Sequence, residues 1–120
     1  MKYMLLIYGN EELWSSFDEA TFKQVVADTE AQHAALTASG EFVGAWGVGD
    51  QAVAKTVTVA GGERVVTDGP YIETKEYLAS FDIVDVDSEE RALEIAAEVP
   101  FAKVGRVEVR PLLHESDSNA

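Results

Sequence analysis

The segment KTVTVAGGERVVT, residues 55–67, decides how this chain folds. β-branched residues are concentrated on both sides of Gly61-Gly62, and a glycine pair between two such strand-forming runs is typical of a tight hairpin turn. The segment therefore predicts two antiparallel strands over residues 55–59 and 63–67, and the remaining elements are arranged around them.

Before the hairpin, the pattern predicts a strand, a helix and a second strand. Residues 2–8 and 42–48 are short runs rich in β-forming residues. Between them, Ser16 with Glu19 three positions later forms a capping-box pattern that predicts the start of a helix, and Gly40 predicts its end. The helix has apolar residues at helical spacing (Phe22, Val25, Val26, Thr29 and Leu36).

After the hairpin, the same order repeats. Residues 78–86 predict a strand that is apolar apart from two aspartates. The polar residues 87–90 predict the cap of a second helix, which Pro100 ends, and residues 106–110 predict the last strand. Residues 114–120 are expected to form a frayed tail after a domain that covers residues 1–113.

This order of elements predicts an α+β, ferredoxin-like sandwich in which two helices cover one face of a mainly antiparallel sheet. The other face must contact water or another subunit, so we expect a homodimer formed through it. On the last strand, Val107 and Val109 point one way, whereas Arg106, Glu108 and Arg110 point the other way. If the valines face the helices, the charged residues lie on the open face or in a dimer cavity; an exposed sheet edge is the alternative.

Charge and composition exclude several classes of function. Acidic residues outnumber basic ones by 22 to 9, a net charge of −13, and such a surface repels nucleic-acid phosphates and anionic membranes. Cysteine is absent, which excludes disulfides and thiolate chemistry and favours a cytoplasmic protein. His33 and His114 lack the local spacing of metal ligands, and no phosphate-binding loop occurs, so we expect no metal and no cofactor.

Two residues are candidates for chemistry, and each has a structural alternative. His33 continues the apolar stripe of Phe22 and Val26, so it is either a packing residue or a general acid/base whose partner must come from elsewhere in the fold. Asp68 precedes Gly69-Pro70, so it either caps its own turn or presents a carboxylate to a pocket whose other wall includes the Arg106, Glu108 and Arg110 face.

Three stretches resemble a known family. The opening MKYMLLIYGNEELW, the segment VTDGPYIETKEYLASFDIVDVDS and the closing GRVEVRPL look like the YCII-related, DGPF-domain proteins. The likeness runs from residue 1 to about 113. Its most specific part is the Asp-Gly-Pro-aromatic motif at residues 68–71, where Tyr71 stands in place of the Phe in the family's name.

The resemblance implies a dimeric α+β barrel and bacterial, cytosolic proteins of unsettled function. YCII-type relatives have been proposed as enzymes that use a His-Asp pair in a pocket between the sheet and a helix. Some members are encoded beside sigma factors of the extracytoplasmic-function type, which implies a regulatory link. In this chain Asp68 matches the motif position, and Glu108 and Arg110 match the closing motif.

Two functions from different classes therefore remain open. The first is a small-molecule-binding protein, or an enzyme, in which Asp68 and His33 transfer protons and basic side chains hold an anionic molecule. Its ligand-binding candidates are Tyr71, Lys75, Glu108 and Arg110. The second is a non-catalytic accessory protein that is linked to an extracytoplasmic-function sigma factor and contacts a partner through its acidic surface.

Overall fold

The computed structural model describes residues 1–116, which contain six strands and three α-helices. In chain order they are β1 (Lys2–Gly9), α1 (Glu11–Ser16), α2 (Glu19–Ser39), β2 (Phe42–Gly47), β3 (Lys55–Ala60), β4 (Glu63–Asp68), β5 (Tyr77–Asp85), α3 (Glu89–Glu98) and β6 (Arg106–Pro111). Two 3₁₀ turns lie at Gln51–Val53 and Pro100–Lys103. Residues 117–120 of the predicted tail lie outside the described residues.

The main sheet has four strands in the order β2-β5-β1-β6, and all of its paired neighbours are antiparallel. This order, with α2 and α3 as the connecting helices, is compatible with a ferredoxin-like fold, and the predicted α+β class is confirmed. Among the described residues, strands β3 and β4 pair only with each other and form a separate two-stranded ribbon. The predicted hairpin is therefore confirmed, but it stands apart from the sheet.

The start of the long helix differs from the prediction. Asp18 caps α2, because its side chain accepts a hydrogen bond of 2.7 Å from the backbone N–H of Thr21. Ser16 is instead the last residue of α1, a short helix that the sequence pattern did not predict and that Asn10 caps. The predicted end is confirmed, since Gly40 closes α2 in the left-handed conformation with a φ of 81°.

The core lies between the helices and one face of the sheet. Leu5 of β1, Val84 of β5 and Ile95 of α3 are its largest fully buried side chains. Helix α2 contributes little to it, because Leu36 is its one buried residue within the described part of the chain. The predicted apolar stripe is wrong for the first half of α2, where Phe22 remains 51% exposed.

The opposite face of the sheet is left uncovered by the helices. Strand register places two sets of side chains there, one apolar (Met4, Leu6, Tyr8, Trp46, Phe81 and Ile83) and one charged (Arg106, Glu108 and Arg110). Trp46 and Phe81 stack at a centroid distance of 5.3 Å. We call this surface the open face. Val107 and Val109 pack against the core, as predicted for valines that face the helices.

No helix within residues 1–116 combines the length and the apolar character that crossing a membrane requires.

Candidate functional site

His33 enters the space between helix and sheet from the second half of α2. Its imidazole stacks on the ring of Phe42, with centroids 4.7 Å apart and planes inclined by 27°. Phe42 is the first residue of β2 and packs against the core, so it fixes the histidine ring against the sheet. His33 is therefore held by packing and also directed towards the neighbouring strand.

Asp82 lies in β5, the strand between β1 and β2, on the face that the helices cover. It is 5% exposed and is the one charged residue within residues 1–116 that is buried. Its Oδ2 lies 3.6 Å from Nε2 of His33. A buried charge is costly unless it has a partner, and the imidazole is the partner that the fold supplies.

The contact between the two groups is close but incomplete. A separation of 3.6 Å is too long for a hydrogen bond, and Nε2 of His33 is a buried atom without a hydrogen-bond partner within residues 1–116. Burial raises the pKa of the Asp82 carboxyl, and the nearby imidazole opposes part of this shift. A buried polar atom that lacks a partner, next to an acid with a raised pKa, is typical of a functional site.

A cavity of about 200 Å³ adjoins this pair, between α2 and the helix-covered face of the sheet. Its apolar wall includes Ile7, Val99 and Phe101, and its polar wall consists of Thr29, Gln32, His33, Ser80 and Asp82. The amide of Gln32 already donates a 3.0 Å hydrogen bond to the backbone carbonyl of Ile95. Within residues 1–116, no lysine or arginine lines the cavity, so its walls suit an uncharged molecule.

The structure does not bring the predicted partner Asp68 to this cavity. Asp68 ends β4, pairs in register with Lys55 and forms an ion pair with its ammonium group. The carboxylate is exposed and makes no hydrogen bond to its own turn among the described residues. The predicted capping contact is therefore not seen among the described residues, and Asp68 lies away from His33, the other candidate for proton transfer.

The Asp-Gly-Pro turn lines a second, open depression of about 450 Å³. Its opposite wall is Asp50, Gln51 and Ala52, and not the charged face of β6 as predicted. Gln51 connects the two walls through hydrogen bonds to the backbone of Thr74, at 3.1 Å to its carbonyl and 3.4 Å from its N–H. These contacts order the loop after the turn without creating a buried pocket.

The four predicted ligand-binding residues lie away from the cavity. Tyr71 is 84% exposed, and Lys75 lies 3.9 Å from the carboxylate of Glu12 at the surface. Glu108 and Arg110 are on the open face, where they pair in register with Leu6 and Met4. The structure therefore does not gather these residues and His33 into one site.

Sequence reasoning missed Asp82, although the signal for it was present. Residues 78–86 are apolar except for Asp82 and Asp85. Strand alternation places Asp82 on the same face as Val84, which is fully buried, and places Asp85 on the other face. A carboxylate on the core side of a buried strand needs a partner, and His33, predicted to lie on the apolar stripe of the helix, is the histidine that the fold brings to it.

Fold and cavity together define a small α+β protein in which a partly buried histidine of a helix faces a buried aspartate of the sheet. The model of the YCII-related domain matches residues 1–116, and the chain belongs to this family. It is also similar to the uncharacterised protein R00369 of Rhizobium meliloti (strain 1021). The two are 32% identical over 114 residues, which cover 93% of this chain and 92% of that protein. The resemblance noted in the sequence is confirmed.

Proposed function

We propose that the chain is an enzyme that binds a small molecule in the cavity beneath α2 and uses His33 and Asp82 as an acid–base pair. The observation that carries the proposal is the unpartnered Nε2 of His33, which lies 3.6 Å from a buried carboxyl beside the cavity. A bound molecule that hydrogen-bonds to both residues satisfies two groups that are otherwise poorly satisfied. Such hydrogen bonds stabilise binding more than those to residues that are already hydrogen-bonded to water.

The pair suits proton transfer because its two members are held rigidly and are poorly solvated. Burial favours the protonated form of Asp82, which brings the carboxyl closer to exchanging a proton at neutral pH than a surface aspartate. The imidazole can accept a proton when it is neutral and return it when it is charged. Ser80, next to Asp82 on the same face of β5, supplies a hydroxyl that can orient the bound molecule.

The cavity walls favour a small uncharged molecule. They carry two hydroxyls, an amide, the acid–base pair and several apolar side chains, without a lysine or arginine to neutralise an anion. The anionic ligand expected from the sequence depended on Lys75 and Arg110, which lie elsewhere. If such a ligand binds, it binds at another surface, and the cavity still selects a molecule that fits about 200 Å³.

A thermal-shift screen of small neutral metabolites tests this function. A molecule that raises the melting temperature of the wild type is then titrated against His33→Gln and Asp82→Asn, which keep the side-chain shapes. We expect each substitution to weaken binding at least about tenfold, because a buried hydrogen-bonding partner is lost. Asp68→Asn is the matched control and should bind as the wild type does. A screen without any stabilising molecule, or equal affinities for all four proteins, would contradict the proposal.

We also propose that two copies associate through the open face, which would form the dimeric α+β barrel. Supporting it are five apolar residues that stay at least partly exposed on the surface that the helices leave uncovered, namely Met4, Tyr8, Trp46, Phe81 and Ile83. The second candidate function, an accessory protein linked to a sigma factor, has the acidic surface as its support, and no contact in the fold favours it further. A basic partner captured only at low salt would support that alternative.

A further inference from the structure

One face of the β3–β4 ribbon carries three exposed valines, with the charged residues Lys55, Arg64 and Asp68 around them. Val57 and Val66 are cross-strand neighbours, and Val59 lies on the same face of the ribbon by strand alternation. Their exposed fractions are 57%, 49% and 71%. Within the described chain, Thr56 is the least exposed residue of the ribbon, and the other ribbon residues are all exposed. Three neighbouring valines in water on a short ribbon are an unfavourable arrangement unless another surface covers them.

Within residues 1–116, the ribbon is held to the rest of the chain by few contacts. Its attachment lies at the base, where Gly69 N–H donates to the carbonyl of Ala54 at 2.7 Å and the Thr56 hydroxyl donates to the Gly69 carbonyl at 2.9 Å. A two-stranded hairpin by itself is marginally stable in water, and stability comes from packing against a further layer. The sequence nevertheless specifies this hairpin strongly, which indicates that a further layer exists.

The accessible surface area of the folded chain indicates how much surface a partner would cover. Its accessible surface is 8266 Å², whereas a folded monomer of 13.0 kDa is expected to expose about 6,300 Å². Its radius of gyration is 16.8 Å, against about 13.6 Å expected for a compact chain of 120 residues. The excess of about 2,000 Å² equals the share that one subunit contributes to a large homodimer interface.

A second copy of this chain fits the uncovered surface better than other partners. The net charge of −13 disfavours nucleic acid and anionic membrane. The ribbon and the open face are uncovered on the same molecule, and a two-fold arrangement lets each copy cover the other. Apolar surface exposed on both elements therefore points to association between identical chains.

We propose that the β3–β4 ribbon is an arm that packs its Val57, Val59 and Val66 face on a second copy of this chain. In a two-fold dimer both arms make this contact, so each copy supplies one arm and receives one. The proposal goes beyond association through the open face, because a dimer held by that face alone would leave both arms in water. It is also independent of the acid–base chemistry at His33.

The test replaces the apolar face without weakening the ribbon itself. Val57→Thr combined with Val66→Thr keeps β-branched side chains at both positions, so strand propensity is preserved. Val65→Thr is the matched control, because Val65 pairs with Thr58 on the other face of the ribbon. Sedimentation equilibrium should show a dimer dissociation constant at least about 100-fold higher for the double variant and a change below about threefold for the control.

A thiol probe provides a second measurement that does not depend on loss of assembly. The chain has no cysteine, so Val57→Cys and Val65→Cys each introduce a single reactive group. At concentrations that favour the dimer, we expect alkylation at position 57 to be at least about tenfold slower than at position 65. On dilution to monomer the two rates should converge. A wild type that is monomeric at micromolar concentration, equal alkylation rates in the dimer, or an unchanged dissociation constant for the double variant would overturn the proposal.

Discussion

Nε2 of His33 and Oδ2 of Asp82 lie 3.6 Å apart, one on the long helix α2 and the other on the central strand β5. The two residues meet because α2 packs on β2, the neighbour of β5 in the sheet, and Phe42 of β2 holds the imidazole by stacking. A carboxyl with a raised pKa and an imidazole nitrogen without a hydrogen-bond partner share the edge of one cavity.

The buried carboxyl of Asp82 should lower the stability of the folded protein at neutral pH, and Asp82→Asn should remove this cost. Burial raises the pKa of Asp82, so the folded chain holds this proton to higher pH than the unfolded chain does. The stabilising contribution of the protonated form is present below the unfolded value of 3.8 and is lost as pH rises through the raised folded value. We expect the variant to match the wild type at pH 3 and to be the more stable protein at pH 7, as measured by urea denaturation. A variant that is less stable at pH 7 would contradict this account.

The ion pair between Glu41 and Arg91 should stabilise the folded protein at neutral pH and be lost at low pH. The Arg91 guanidinium donates to both carboxylate oxygens of Glu41, at 2.8 and 2.9 Å, and lowers the pKa of Glu41 to about 2. This contribution is complete above the unfolded value of 4.5 and is lost as pH falls towards 2. Glu41→Gln should therefore destabilise the protein at pH 7 and have little effect at pH 2. Glu98→Gln on α3, whose carboxylate forms no ion pair within residues 1–116, is the control and should show no such difference.

Position 69 should require glycine because of its backbone conformation, and not because a side chain would collide with its neighbours. Its φ is +99°, and a Cβ at this position would meet no atom within 4 Å. Gly69→Ala should lower the free energy of unfolding by about 1 kcal/mol, because other residues avoid positive φ. Gly47→Ala is the matched control, since that position is equally open and its φ is not positive. An equal effect of the two substitutions on the denaturation midpoint would show that the turn is not strained.

Association through the open face should depend on its apolar residues. Ile83 lies on this face between its register partners Met4 and Gly44. Ile83→Lys would place a charge in the proposed interface, so light scattering should give the mass of a monomer at micromolar concentration. Leu93→Lys, at an exposed position of α3, should keep the wild-type mass. A dimer that persists in Ile83→Lys would place the interface elsewhere.

The elements with local signals could be predicted from the sequence. Gly61 and Gly62 both adopt positive φ in the hairpin turn, and Ser88 caps α3, because these choices depend on the nearest residues. The cap of α2 was misassigned since two suitable residues, Ser16 and Asp18, stand close together. The choice between them depends on α1, whose start at Asn10 was not recognised.

The site needed long-range information that periodicity does not contain. His33 was identified as a candidate, but its partner lies on a strand far along the chain. Asp68 was named as the acidic candidate instead, because it stands in a recognisable motif. Asp82 becomes distinguishable only when β5 is known to be a central strand with one face under α2. The exposure of Phe22 and of the ribbon valines was equally unpredictable, because burial there depends on what packs against the chain.

The most direct test of the acid–base site is the number of protons exchanged when a molecule from the screen binds. Calorimetric titration at one pH in buffers of different ionisation enthalpy measures that number. If binding changes the protonation of Asp82, protons pass between this carboxyl and the buffer, so the binding enthalpy of the wild type will depend on the buffer, and Asp82→Asn will bind more weakly and lose this dependence. The same affinity and the same buffer dependence in wild type and Asp82→Asn would contradict the account.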